Sequence, residues 1–239
     1  MIRRVAVISD IHANLPALGI CLQAIDAIGV DAVYCGGDLV GYGPQPIGVC
    51  RLIQARSIPA VYGDHDYAVG RDLDHSEGDA TRSDRDLDRQ SFAWTLAHTD
   101  PHVKDYLRAL PFDLHFELGN ERVRLVHGSP RSVNEQVLED TPATTLDGIA
   151  AQADCDVLVF GHTRKPWIRT HAGILFVNCG SIGSPGNGDS RAAFALLELE
   201  RSGRVSASIR RVAYNAQAVA RGIDAARPVG GVRAQARRG

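Results

Sequence analysis

The sequence predicts an α/β fold, and its first third carries most of the case. Val5-Ala6-Val7-Ile8 is a continuous run of β-branched and small apolar residues, the pattern of a strand buried on both faces. Strand-like and helix-like periods then alternate along the chain, as β-α units require. The strands also run straight into Asp, His and Gly, at the ends where α/β folds keep their chemistry.

After the first strand, Asn14 is placed to cap a helix with Pro16 in its first turn. Leu15, Leu18, Leu22, Ile25 and Ile28 mark one helical face until Gly29. Asp31 to Cys35 reads as the next strand and leads into Gly36-Gly37-Asp38. A helix from about Pro46 to Gln54 precedes Ile58 to Tyr62, read as a third short strand ending in Gly63-Asp64-His65-Asp66. From Gly70 to Gln90 the chain is rich in Asp, Arg, Ser and Gly. It reads as a solvated excursion, with a lid as the alternative, and His75 belongs to it. Phe92, Trp94, Leu96, Val103, Tyr106, Leu107 and Leu110 suggest two helices broken at Asp100-Pro101. His98, His102 and His115 carry no ligand spacing.

Leu114–Leu118 and Arg122–Val126 form a predicted hairpin around Gly119-Asn120, and the second strand ends in His127-Gly128-Ser129-Pro130. Thr141-Pro142 starts a helix that ends near Ala153. Asp156 to Phe160 is a buried strand that ends in Gly161-His162-Thr163-Arg164. Ile174 to Val177 is followed by the loop Asn178 to Pro185, and Ala192–Leu199 with Val205–Val212 close the fold as an antiparallel pair. The expected organisation is a single domain over 1–221, with a helical and acidic excursion at 70–111 and a disordered Arg/Ala/Gly tail at 222–239.

Composition bounds the function. With 239 residues and 44% hydrophobic content the chain can bury a sizeable core, and no apolar stretch approaches bilayer-spanning length. The five cysteines show no C-x-x-C spacing, which argues against a disulfide framework and for a cytoplasmic protein. A net charge of -2 provides no global field for nucleic acid, so no stable nucleic-acid partner and no membrane partner are expected. A homo-oligomer stays open.

Chemistry concentrates in Asp10-x-His12, Gly37-Asp38, Gly63-Asp64-His65-Asp66, His127-Gly128, Gly161-His162 and the Gly180-Ser181 loop. Singly, each has a bland reading: Asp10 as a helix cap, His12 as a loop histidine. Asp and His two positions apart in extended chain can also point the same way and serve one metal ion. In their order and shared placement, the motifs resemble those of the calcineurin-like metallophosphoesterases from Val5 to about Leu199. Gly37-Asp38-Leu39-Val40-Gly41-Tyr42-Gly43-Pro44 and His127-Gly128-Ser129-Pro130 resemble the small prokaryotic phosphodiesterases most closely.

The resemblance implies two packed mixed β-sheets flanked by helices, a four-layer α-β-β-α arrangement with a dinuclear metal centre at one rim. By motif, Asp10 and His12 would hold the first ion, Asp38 would bridge both, and Asp64, His127 and His162 would complete the second. His65 would stand at the leaving group with Asp66 as an orienting partner, and a bridging water would be the nucleophile. The ions would be Mn²⁺ first, with Fe, Zn²⁺ or Ni²⁺ as alternatives. The implied activity is hydrolysis of a small phosphodiester or nucleotide. The alternatives are a phosphomonoester, phosphoprotein or dinucleoside polyphosphate hydrolase, and a non-catalytic phosphate-sensing module.

Two positions depart from the family pattern. Asp64 stands where the family usually has Asn, and Arg164 where it has a histidine ligand. A guanidinium cannot bind metal. Either the first ion keeps Asp10, His12 and Asp38 while Arg164 turns outward to bind phosphate, or the guanidinium replaces that ion. The phosphatase relatives carry a phosphate-gripping arginine where this chain has Tyr42, which makes Tyr42 and Arg164 the candidate substrate contacts.

Overall fold

The computed structural model describes residues 3–73, 82–186 and 188–215, residues 82–88 by their backbone alone. His75 and the tail expected from 222 lie outside the described residues. The first sheet contains β1 (Arg4–Ile8), β2 (Ala32–Cys35), β8 (Ala192–Leu199) and β9 (Val205–Val212), in the order β2-β1-β8-β9. The second contains β3 (Asp113–Leu118), β4 (Glu121–Val126), β5 (Val157–Phe160), β6 (Trp167–His171) and β7 (Ile174–Asn178), in the order β3-β4-β5-β7-β6. Both are mixed. β1 pairs parallel with β2 and antiparallel with β8, while β4, β5 and β7 run parallel between antiparallel edges.

Side-chain alternation builds the layers. Val5 and Val7 of β1 meet Val157 and Val159 of β5, with Leu125, Val177, Ala195 and Leu197, in a core between the sheets. Ala6 and Ile8 point the other way, into a core with helices α1 (Leu15–Ile28) and α2 (Pro46–Ala55). On the far face, Leu158, Phe160 and Phe176 pack against Leu146 and Ile149 of α6 (Ala143–Ala153). Each fully buried side chain of this kind contributes roughly 1.5–3 kcal/mol of hydrophobic stabilisation. The two sheets with outer helices are the architecture that the family resemblance implied.

Three expectations need correction. Ile58 to Tyr62 is not a strand; Ala60 makes only an isolated bridge to Cys35, because Pro59 supplies no N–H to continue a ladder. The polar excursion does not stay irregular to Gln90, since helix α4 (Arg82–Ala97) begins within it, after the short α3 (Asp64–Gly70) and ahead of α5 (Pro101–Ala109). Strand β6 was not anticipated at all. Along this edge strand buried Trp167 and half-buried Arg169 and His171 alternate with exposed Ile168 and Thr170, and the signal for it is the Ala172-Gly173 turn, where both residues have positive φ. Among the described residues no helix is long and apolar enough to cross a membrane. All five cysteines are buried and unbridged.

Candidate metal centre

The C-terminal ends of β1, β2, β4 and β5 meet at one rim and deliver Asp10 and His12, Asp38, His127, and His162 respectively. Backbone bonds lace the loops together: the Asp10 N–H donates to Gly37 O at 3.0 Å, His12 N–H to Asp38 O at 2.8 Å, and Gly161 N–H to His127 O at 2.9 Å. Non-glycine residues with positive φ gather here, namely Asp10, His12, Asp38, Tyr42, His162 and Arg164. Tyr42 and His162 each sit at the apex of a γ-turn, closed by Gly43 N–H to Gly41 O at 2.6 Å and by Thr163 N–H to Gly161 O at 2.7 Å. Such backbone persists only where surrounding structure holds it, and it concentrates at functional sites. Close approach is equally marked: a Cβ on Gly63 would overlap Asp38 Oδ1, and one on Gly161 would overlap Asp10 Oδ2.

Asp38 lies at the middle. Its Oδ1 accepts the His65 N–H at 3.1 Å, which fixes the carboxylate plane. Its Oδ2 lies 3.4 Å from His127 Nε2 and 3.7 Å from His12 Nε2. His127 Nδ1 donates to the Gly36 carbonyl at 2.7 Å, so Nδ1 carries a proton and Nε2 faces Asp38 and Asp64. Asp64 Oδ1 stands 3.2 Å from His127 Nε2 and 3.1 Å from His162 Nδ1. Asp10 Oδ1 is 3.8 Å from His12 Nε2, and its Oδ2 accepts the His162 N–H at 3.1 Å. Ligand atoms of Asp10, Asp38 and His127, of Asp64, His127 and His162, and of His12, Asp38 and His65 fall within 4.8 Å in each triplet.

Burial makes this cluster electrostatically tense. It pushes the Asp10 carboxyl up and drives the His12 imidazole down to about 3. Burial and Asp64 push Asp38 up as well, but His127 and His65 outweigh them and hold it below the usual carboxylate range. His127 is the mirror case: burial disfavours its cation, yet Asp38 and Asp64 raise it well above the ordinary histidine value.

The donor set fits a pair of divalent cations. Carboxylate oxygens and imidazole nitrogens suit Mn²⁺, Fe or Zn²⁺. The buried Asp10 Oδ1 accepts no hydrogen bond from the described residues, which leaves a strong acceptor for a cation.

Around the ligands stand the other residues that the sequence singled out. The His65 ring packs 4.8 Å from Tyr42, 5.3 Å from His12 and 6.4 Å from Phe92. Asp66 is buried, and its oxygens accept the N–H groups of Leu39 at 2.9 Å, Val40 at 3.1 Å and Gly63 at 3.0 Å. It therefore anchors the Asp38 loop to α3, a positioning task, while burial and Asp38 push its carboxyl up to about 7. Arg164 donates from Nη1 to Ser184 Oγ at 3.2 Å and lies 5.5 Å from the Tyr42 ring centroid. It pairs with no carboxylate among the described residues, and its charge disfavours the His12 cation. Ser184 and Phe92 were not anticipated, and nothing in the spacing of either marks it.

Comparison with known proteins agrees with this geometry. The model of the calcineurin-like phosphoesterase superfamily domain matches residues 4–202. An uncharacterized protein of Methanocaldococcus jannaschii is 27% identical over 211 residues, 81% of this chain and 82% of that protein. The crystal structure of a metallophosphoesterase from Sphaerobacter thermophilus superposes with a TM-score of 0.79 at 27% identity, over 99% of each chain. That of a hypothetical protein from Pyrococcus horikoshii OT3 gives 0.83 at 23% identity over 97% of this chain and 96% of that one, a likeness of fold.

Proposed function

The chain belongs to the calcineurin-like phosphoesterase superfamily, and from that premise we propose a metal-dependent hydrolase of small phosphodiesters or nucleotides. The observation that carries the reading is Asp38 Oδ2, set between His127 Nε2 at 3.4 Å and His12 Nε2 at 3.7 Å as a bridging carboxylate would be. Asp10, His12 and Asp38 would hold one ion, and Asp38, Asp64, His127 and His162 the other, with Mn²⁺ the first choice. Bound there, the ions supply Lewis-acid charge for phosphoryl oxygens and water of lowered pKa.

The remaining steps belong to side chains. His65 delivers a proton to the departing ester oxygen, its backbone pinned by Asp38 and its ring by Tyr42 and Phe92. Arg164, using one hydrogen bond of its five donors, grips non-bridging phosphoryl oxygens, and Tyr42 holds the guanidinium at the site mouth. Asp66 keeps Asp38 and α3 in register. Residues 1–221 form the catalytic domain, and α4 brings Phe92 within 6.4 Å of the His65 ring. The buried free thiols suit a reducing compartment, which supports a cytoplasmic location.

The Arg164 guanidinium favours a second reading, hydrolysis of phosphomonoesters or dinucleoside polyphosphates, whose terminal or internal phosphates it would clamp. Rates with bis(p-nitrophenyl) phosphate and p-nitrophenyl phosphate separate the two. A diesterase turns over the first faster in Mn²⁺, whereas faster turnover of the monoester selects the second reading. Normal metal binding without turnover of either selects a non-catalytic phosphate-sensing module.

A further inference from the structure

An aromatic cluster flanks Asp64 along the chain, with Tyr62 two residues before it and Tyr67 three residues after it. Tyr67 and Arg71 follow Asp64 at spacings of three and seven, so all three share one side of α3 and its last turn. Helical side chains lean toward the N-terminus, so Tyr67 leans in the direction of the turn that carries Asp64. A rise of ~1.5 Å per residue separates their backbones by about 4.5 Å along the axis.

The Arg71 guanidinium lies 3.9 Å from the Tyr67 ring centroid and 5.9 Å from that of Tyr62. The two tyrosine rings are 5.3 Å apart, and Phe112 backs Tyr62 at 6.0 Å. Phe112 is one residue from Asp113, whose strand partner is Val126, and His127 comes next. The cluster thus neighbours Asp64 along the chain and His127 through the β3–β4 register.

Two features separate it from ordinary packing. Tyr67 is 38% exposed despite its apolar neighbours. The Arg71 side chain donates only to the Tyr67 carbonyl, at 3.4 Å, and meets no carboxylate among the described residues. The rings are tilted 45° to each other, and the Arg71 guanidinium over Tyr67 adds a cationic plane. Such a half-wet aromatic and cationic surface offers stacking faces to a planar ring with little regard to the ring's identity.

We propose that Tyr62, Tyr67 and Arg71 form a stacking shelf for a nucleobase carried on one ester arm of the substrate. The inference rests on the phosphoesterase reading and deepens it, by assigning nucleotidyl esters as the substrate class. Tyr67 and Arg71 touch the base and not the reacting phosphorus.

Calorimetric titration of the Mn²⁺-loaded protein with adenosine 5′-monophosphate and with ribose 5-phosphate tests it. The shelf predicts roughly tenfold tighter binding of the nucleotide. Tyr67→Leu, which keeps apolar cover on Tyr62, and Arg71→Gln should each remove most of that advantage and leave ribose 5-phosphate binding unchanged. Equal affinity for both ligands in the wild type, or an advantage that survives both substitutions, overturns the shelf while the phosphate site stands. Failure of the wild type to bind either ligand overturns the phosphoesterase reading and the shelf with it.

Discussion

On the proposed function, Asp38 Oδ2 and His65 divide the labour at the residue scale, one for cations and the other for the ester oxygen that leaves. A histidine acting as general acid matters most when the leaving group is poor. His65→Ala should therefore lower kcat roughly a hundred- to ten-thousand-fold on an alkyl phosphodiester and far less on a p-nitrophenyl ester. Equal losses on both esters would exclude the acid role. His127 gives the site a second signature. Its raised value means that metal-free protein keeps the imidazolium at neutral pH, so Nε2 must lose a proton before it can coordinate. Metal affinity should rise with pH, by about tenfold per unit where one proton is exchanged, and metal addition should acidify a weakly buffered solution. A pH-independent affinity would contradict that linkage. The residues of the candidate site were legible because strand ends wrote them out as short Asp, His and Gly motifs. Ser184 and Phe92 escaped, since their places depend on how the Gly180 loop and α4 close over the rim.

Among the elements, the turns carry as much of the site as the strands. Gly63 lets α3 start against Asp38, and any side chain there would overlap both the carboxylate and the Asp38 backbone. Gly63→Ala should weaken metal binding by about 10- to 100-fold, as loss of ligand support does elsewhere, while far-UV circular dichroism stays near wild type. Unchanged metal affinity would show that the loop yields without disturbing Asp38. Elements with strong periods, such as β1, α1 and the β8–β9 pair, could be read directly from the chain. β6 could not, because its inward face is written by Trp167, Arg169 and His171, of which only Trp167 is apolar, so no apolar alternation marks the strand. The segment Ile58 to Tyr62 misled for the opposite reason: its apolar residues pack without forming a ladder around Pro59.

For the whole molecule, three apolar layers hold two sheets so that the parallel strands of both open toward one rim. The layering itself came from family resemblance rather than from periodicity, because strand pairing between distant segments such as β1 and β8 leaves no local trace. That rim gathers the candidate ligand triplets, and Arg164 lies beside it against Ser184 and Tyr42. The direct test strips the protein of metal, adds Mn²⁺ back stepwise, and follows bound ions and phosphodiester turnover on the same samples. Turnover should be lost on stripping and return as occupancy approaches two ions per chain. Full turnover by stripped protein, or turnover that saturates with a single ion bound, would contradict the two-ion centre.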